Sequence, residues 1–202
     1  MCEQEYSITF KNNSSNIGSL CIYLVEPQLS YNMMSLAWFA KKTYPSTTVN
    51  FNWTVDYGFI WGDNITKLAS GTAFKASQMW PADLCENNSI TLTYRHGAYT
   101  FTNQTYGENG YLLYIDQDET IPPSGATVGI SVAGLGAFIT KSQPNCTLIF
   151  NPEFEYWIAF GNYCLGEILN MTLISHKCKL EFEPGVYNKH ITLNFDNTWT
   201  IL

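Results

Sequence analysis

Residues 49–55 read Val-Asn-Phe-Asn-Trp-Thr-Val, a strict alternation of apolar and polar side chains. Successive side chains of an extended chain point to opposite faces, so this alternation places one face on a core and the other in water. The same pattern recurs at residues 6–10, 90–94, 128–132, 146–150 and 191–195. These stretches are rich in β-branched and aromatic residues, which favour pleated sheets. The pattern predicts strands along the whole chain.

Three further runs are apolar on both faces, at residues 20–25, 111–115 and 156–160. Such runs are typical of central strands buried between layers. Turn signals such as Asn109-Gly110 and Pro184-Gly185 divide the strands. About a dozen strands at short spacings predict an all-β fold, a two-layer antiparallel β-sandwich or jelly roll with little helix. Residues 33–42 are the one stretch rich in helix formers, although residues 35–39 fit a strand equally well.

The length of 202 residues is normal for one β-sandwich. A chain of this size buries enough surface to need neither a metal nor a disulfide for its core. We identify no internal repeat, low-complexity tract or linker in the sequence. Residues 1–202 are therefore expected to form a single β-sandwich domain.

The composition is low in charge and high in aromatic residues. Charged residues make up 13% of the chain, about half the usual fraction, and aromatic residues make up 15%. The net charge is −7 with only 10 Lys and Arg, so no basic stripe is available for nucleic acid or an anionic membrane. No apolar run is long enough for a transmembrane helix. The surface suits neutral polar partners: sugars, peptides or further copies of the chain.

The first six residues, MCEQEY, lack the basic start and apolar stretch of a secretory signal, so we expect a cytoplasmic protein. The six cysteines permit three disulfides, but the missing signal and the absence of CxxC spacing favour free thiols. They are Cys2, Cys21, Cys85, Cys146, Cys164 and Cys178. Eight Asn-X-Ser/Thr triplets mark glycosylation only in a secreted chain, and we interpret them as a consequence of the Asn- and Thr-rich composition.

Several aromatic-anchored strings resemble the rhizosphere-induced RhiA-like proteins. They are residues 35–39 (SLAWF), 51–53 (FNW) leading into 56–61 (DYGFIW), 113–115 (LYI) with 121–122 (IP), 128–130 (VGI), 155–163 (EYWIAFGNY) and 196–200 (DNTWT). The resemblance covers nearly the whole chain. It implies no activity, because that family has no agreed catalytic residue or ligand. The cysteines are not part of the pattern, which again favours free thiols.

Catalytic motifs are missing from the sequence. The histidines are His96, His176 and His190, and neither a GxSxG elbow nor an HExxH motif is present. Cys178 and His176 share a strand face but lack a third group to orient the base. We therefore expect a protein that is not an enzyme and needs no cofactor.

Asp116 and Asp118 form the one carboxylate cluster on a single strand face and are a weak calcium candidate. The rest of a calcium loop is missing, so a solvated acidic loop is the favoured interpretation.

Two tryptophans stand beside polar turn residues. Trp61 precedes Asp63 and Asn64, and Trp80 precedes Asp83. An indole stacks on the C–H face of a sugar while carboxyl and amide groups bind its hydroxyls, so these five residues are a speculative glycan site. The alternative is that both indoles cover the edges of the core.

Two functional hypotheses follow from the sequence. The favoured one is a non-catalytic structural or self-associating protein, a homo-oligomer or assembly, because low charge and few lysines leave sheet edges unprotected. The other is a lectin-like glycan-binding module that uses the loop aromatics.

Overall fold

The computed structural model describes residues 4–27, 33–63 and 68–202. Within these ranges the chain forms seventeen strands and no helix, which confirms the predicted all-β class. The strands are β1 (Glu5–Asn12), β2 (Gly18–Val25), β3 (Met34–Ser35), β4 (Phe39–Thr43), β5 (Thr48–Thr54), β6 (Tyr57–Gly62), β7 (Gln78–Ala82), β8 (Ser89–Arg95), β9 (Ala98–Thr105), β10 (Leu113–Gln117), β11 (Thr127–Val132), β12 (Leu135–Lys141), β13 (Cys146–Phe150), β14 (Glu155–Gly161), β15 (Cys178–Leu180), β16 (Asn188–Leu193) and β17 (Trp199–Ile201).

The strands form four sheets. Sheet I has the order β17-β16-β1-β5 and sheet II the order β15-β14-β2-β4. Sheet III has the order β3-β12-β11-β6-β7 and sheet IV the order β13-β10-β8-β9. Neighbouring strands are antiparallel except for β1 with β16 and β8 with β10, which are parallel.

The sheets face each other in pairs across aromatic side chains. Phe10 of sheet I lies 6.3 Å, centroid to centroid, from Phe160 of sheet II. Phe59 of sheet III lies 6.4 Å from Phe101 of sheet IV. We call sheets I and II the terminal half and sheets III and IV the central half. The largest buried cluster takes residues from all four sheets.

Trp38 connects the two halves. Its side chain is fully buried, and its Nε1 donates a hydrogen bond of 2.7 Å to the main-chain carbonyl of Val132 in β11. The indole also packs edge-to-face on Trp53 of sheet I at 5.3 Å. One side chain thus contacts a strand in each half.

The two halves share one topology. Read in reverse and without the short strand β3, sheet III has the order β7-β6-β11-β12, which corresponds to β15-β14-β2-β4 of sheet II. Sheet IV read in reverse has the order β9-β8-β10-β13, which corresponds to β17-β16-β1-β5 of sheet I. The parallel pair falls at the corresponding place in each half. The central half runs continuously from β6 to β13, whereas the terminal half has its equivalent strands in the permuted order β14 to β17, then β1, β2, β4 and β5.

The duplication is also present in the sequence. Residues 39–63 align without gaps with residues 138–162, and eight of these positions are identical. The identical pairs are Phe39/Phe138, Lys42/Lys141, Pro45/Pro144, Thr48/Thr147, Phe51/Phe150, Asn52/Asn151, Tyr57/Tyr156 and Gly62/Gly161. Ser46 and Asn145, which are aligned in the turn, both have positive φ, at 66° and 53°. The expectation of no internal repeat was therefore wrong, because the permuted order and side-chain divergence conceal it.

Other predictions met mixed outcomes. The runs at residues 20–25 and 156–160 form β2 and β14, both interior strands of sheet II, as predicted. The run at 111–115 becomes strand only from Leu113, and Tyr111 is 82% exposed. Residues 33–42 form β3 and most of β4 instead of a helix, because their apolar side chains pack between sheets.

Candidate functional site at the free edge of the central half

The two tryptophans of the predicted glycan site face the interior. Trp61 donates from Nε1 to Gln78 Oε1 at 2.8 Å, and its ring lies 5.6 Å from that of Tyr99. Trp80 packs on Phe101 with ring centroids 6.3 Å apart. Both indoles therefore lie between sheets III and IV and cover the edges of the core.

The polar members of that predicted site lie apart. Asp63 follows β6 and accepts a hydrogen bond from Ser77 Oγ at 3.2 Å. Asp83 follows β7, at the opposite end of this antiparallel pair, and accepts from the main-chain N–H of Cys85 at 2.7 Å. Asn64 lies outside the described residues. The structure does not bring Asp63 and Asp83 together.

The acidic pair forms local hydrogen bonds. Asp116 accepts from Thr147 Oγ1 at 2.6 Å across the β10–β13 pair, and Asp118 accepts from the main-chain N–H of Thr120 at 2.9 Å. Across the described ranges, no group of three His, Cys, Asp or Glu side chains is arranged to hold a metal ion.

The histidines lie on separate elements. His96 occupies the β8–β9 turn with a φ of 54°, and His190 lies in β16. His176 precedes β15, and its main-chain carbonyl accepts from Trp199 Nε1. Burial raises the pKa of the nearby Cys178 thiol, which favours the protonated form over a nucleophilic thiolate. The five cysteines within the described residues are all unpaired.

Most edge strands carry a feature that discourages pairing with another chain, as exposed sheet edges generally require. Lysines stand in β4 and β15, Pro81 interrupts β7, and β3 and β17 span only two and three residues. The edge of β5 is covered by Lys41, whose Nζ donates to the main-chain carbonyl of Asn50. The edge strand β9 donates from the Phe101 N–H to Gln78 Oε1 at 3.3 Å, and its register with β8 is irregular.

The strand β13 has none of these features. It spans five residues, contains neither Lys nor Pro, and pairs with β10 in a regular register. Thr147 and Ile149 point away from the core, and Ile149 is 53% exposed. Thr140 stands at the position of Lys41, so the ammonium that covers β5 has no counterpart there. Among the described residues, no lysine, proline or bulge protects this edge of β13, which we call the free edge and take as the candidate functional site.

Sequence reasoning did not single out β13. The alternation at residues 146–150 and the lack of Lys or Pro were visible, but other strands share both properties. Whether a strand lies at the edge of a sheet depends on its pairing with residues far away in the sequence. The alternation of side chains along a single strand does not contain that information.

The fold and this edge define an all-β, sandwich-like protein whose described residues contain no helix that could cross a membrane. Residues 3–202 match the RhiA family. Protein RhiA from Rhizobium leguminosarum bv. viciae is 30% identical over 200 residues, which cover 98% of this chain and 86% of that protein. The chain belongs to the RhiA family, as its aromatic strings indicated. No solved structure matches it significantly.

Proposed function

We propose that this protein is a non-catalytic, self-associating protein whose copies pair through β13. The observation that supports this proposal is the free edge of β13 with Ile149 half exposed beside it. The occupant of the edge is β13 of a second copy, in antiparallel orientation.

Antiparallel pairing of β13 with itself is a closed, two-fold arrangement. It joins two copies of sheet IV into one eight-stranded sheet and satisfies the main-chain groups of both edges. It also brings the two Ile149 side chains onto one face, where apolar burial adds to the main-chain hydrogen bonds.

Electrostatic repulsion opposes this association only weakly. The net charge is −7, but the exposed side chains of β13, Thr147 and Ile149, are uncharged. Because no ion pair contributes to the contact, salt should screen only the long-range repulsion. Association is therefore expected to persist, or to strengthen slightly, at high salt.

The test is the molar mass of the purified protein, measured by light scattering after size exclusion at micromolar concentration in low and high salt. We expect a dimer for the wild type and a monomer for Ile149→Lys, because the new ammonium groups of the two copies lie on one face of the joined sheet, close to the two-fold axis, and repel each other. The matched control is Asn50→Lys, which changes the aligned exposed position in β5, where Lys41 already covers the edge. A monomeric wild type in both salts, or equal loss of dimer in both variants, would refute pairing through β13.

Glycan binding at the sequence-predicted residues receives less support, since Trp61 and Trp80 are turned toward the core. A different part of the central half has the properties of a ligand site.

A further inference from the structure

A cleft of about 560 Å³ opens between β12 and β13 of the central half. Its polar lining comes from Gln117, Thr140, Lys141, Gln143 and Thr147, and its apolar lining comes from Met34, Cys146 and Leu148. A volume of this size falls within the usual range for small-molecule sites.

Gln117 lines this cleft and has an unpaired donor. The side chain is only 3% exposed, and its Oε1 accepts from the main-chain N–H of Gln143 at 3.0 Å. Its Nε2 has no hydrogen-bond partner in the described residues. Buried amide groups are nearly always paired, so an unpaired one beside a cleft requires an explanation.

The terminal half shows how the same position is satisfied without a ligand. Asn12 occupies the position in the terminal half that Gln117 occupies in the central half. Residues 191–193 and 90–92 both read Ile-Thr-Leu, and the last residue of each segment pairs with Asn12 or with Gln117. The Nδ2 of Asn12 donates to the main-chain carbonyl of Asn16 at 2.9 Å and to Thr43 Oγ1 at 3.3 Å.

In the central half, the counterpart of Thr43 is Ser142, and its hydroxyl instead accepts from the Ala126 N–H at 2.9 Å. The open amide donor is therefore a property of one half alone. In the other half, the donor is satisfied by the chain itself.

The lining determines the chemistry of the partner. The cleft offers the exposed Lys141 ammonium and the Gln143 amide, the unpaired Gln117 N–H is buried beside it, and no Asp or Glu is among its lining residues. The adjacent Asp116 lies on the opposite face of β10, where Thr147 Oγ1 donates to it. A site of donors and one cation suits a ligand rich in acceptor oxygens that carries a negative charge.

We propose that this cleft binds an acidic saccharide of one or two rings. The Gln117 side chain shifts on binding so that its buried Nε2 donates a hydrogen bond to the carboxylate, and Lys141 balances the charge. The ring hydroxyls bind the Gln143 amide, and the C–H face of the ring packs on Met34 and Leu148. The cleft adjoins the strand proposed for self-association, because Leu148 of β13 lines it. The two sites differ in the face they use, since Gln117 points inward from sheet IV whereas Ile149 points outward.

The test measures binding of glucuronate, galacturonate and digalacturonate by calorimetry and by amide NMR, with galactose as the neutral comparison. We expect saturable binding of the acids with a shifted Gln117 side-chain amide signal, and binding of galactose at least about tenfold weaker. Ile149→Lys keeps every lining residue of the cleft, so it should still bind the acids, which separates this proposal from the one on β13.

Two variants and one matched control complete the test. Lys141→Met should weaken binding of the acids about tenfold by removing the cation. Gln117→Glu retains the acceptor for Gln143 but replaces the donor, and should abolish binding. Lys42→Met changes the aligned lysine of the terminal half and should leave affinity unchanged.

Should Gln117→Glu fail to fold, as judged by circular dichroism, Lys141→Met and the NMR shift decide the matter. Absence of binding by every acid, equal binding of galactose, or equal effects of Lys42→Met and Lys141→Met would each overturn the proposal.

Discussion

The Nζ of Lys41 donates a hydrogen bond to the main-chain carbonyl of Asn50 and thereby covers the edge of β5 from the facing sheet. The same ammonium lies 4.8 Å from the ring centroid of Phe51. The aligned pair in the central half is Thr140 and Ile149, which contains no such cation. One lysine thus distinguishes the covered edge from the free one.

Replacing Lys41 by Thr, the residue at the aligned position, should make the two edges alike. We expect the free energy of unfolding to fall by about 1 kcal/mol, because a hydrogen bond and a cation–π contact are lost. We also expect species larger than the wild-type assembly in light scattering, since β5 becomes a second free edge. The matched control is Lys42→Thr, whose ammonium lies over Tyr44 only. A Lys41→Thr protein with the wild-type molar mass would show that Lys41 does not protect β5.

Trp38→Phe should destabilise the protein by about 1–3 kcal/mol, because it leaves the buried Val132 carbonyl without its donor. Trp38→Ala should cost about 3–5 kcal/mol, since it also empties a fully buried site between the halves. Denaturant unfolding monitored by circular dichroism gives both values. Trp157→Phe is the control, because Trp157 is only partly buried and donates to Glu155 near the surface. Equal costs for Trp38→Phe and Trp157→Phe would contradict the connecting role of Trp38.

Glu26→Gln should increase stability at neutral pH. Desolvation raises the pKa of the buried Glu26 carboxyl in the folded state, and the Asn151 N–H, which donates to its Oε1 at 2.9 Å, only partly offsets this effect. Because the folded-state pKa is above the unfolded one, the folded state binds the proton more tightly. Stability is therefore lost as the pH rises from the unfolded pKa through the folded pKa.

Glutamine keeps the acceptor and removes the titration. The variant should consequently unfold at higher denaturant concentration than the wild type at pH 7, and at nearly the same concentration at pH 4. Measuring both proteins in the same buffers cancels the contribution of every other titrating group. A variant that is less stable than the wild type at pH 7 would show that the Glu26 charge is favourable in the fold.

The thiols should fall into distinct reactivity classes. Cys85 and Cys164 are exposed and should react quickly with Ellman's reagent in the native protein. Cys21 is fully buried, and burial raises the pKa of its thiol, so it should react only on unfolding. Denatured protein, purified without oxidant, should show all 6 thiols. Two or fewer reactive groups after denaturation would mean that the cysteines are paired.

Loss of all three histidines is not expected to matter for any activity of the protein. We expect the combined replacement of His96, His176 and His190 to leave biological activity unchanged if the fold survives, because these residues lie on separate elements. A hydrolase activity abolished by one of these changes would refute the non-catalytic proposal.

Period-two alternation predicted the local structure well. It assigned residues 49–55 to a strand, and Phe51 and Trp53 are indeed buried, at 1% and 4% exposure, while Asn50 and Asn52 face outward. It also identified β2 and β14 as interior strands from runs that are apolar on both faces. These properties are local, because alternation along one strand decides which side chains need a partner layer.

The candidate site could not be predicted in this way. Residues 49–55 and 146–150 have the same alternation and no lysine, yet among the described residues a lysine ammonium covers β5 and none covers β13. That lysine, Lys41, lies on another strand, and the residue aligned with it in the central half is Thr140. Likewise, nothing local shows that the amide of Asn12 is satisfied and that of Gln117 is not.

The sequence by itself determined that this protein is all-β, which faces of its strands are buried, and, through its aromatic strings, that it resembles the RhiA family. Only the tertiary structure decided the order of strands in the four sheets, the permuted duplication, the inward turn of Trp61 and Trp80, and the position of the free edge. The physical reason is the range of the interactions. Side-chain alternation is set by neighbours along the chain, whereas pairing, edge protection and hydrogen-bond satisfaction depend on groups brought together from distant parts of it.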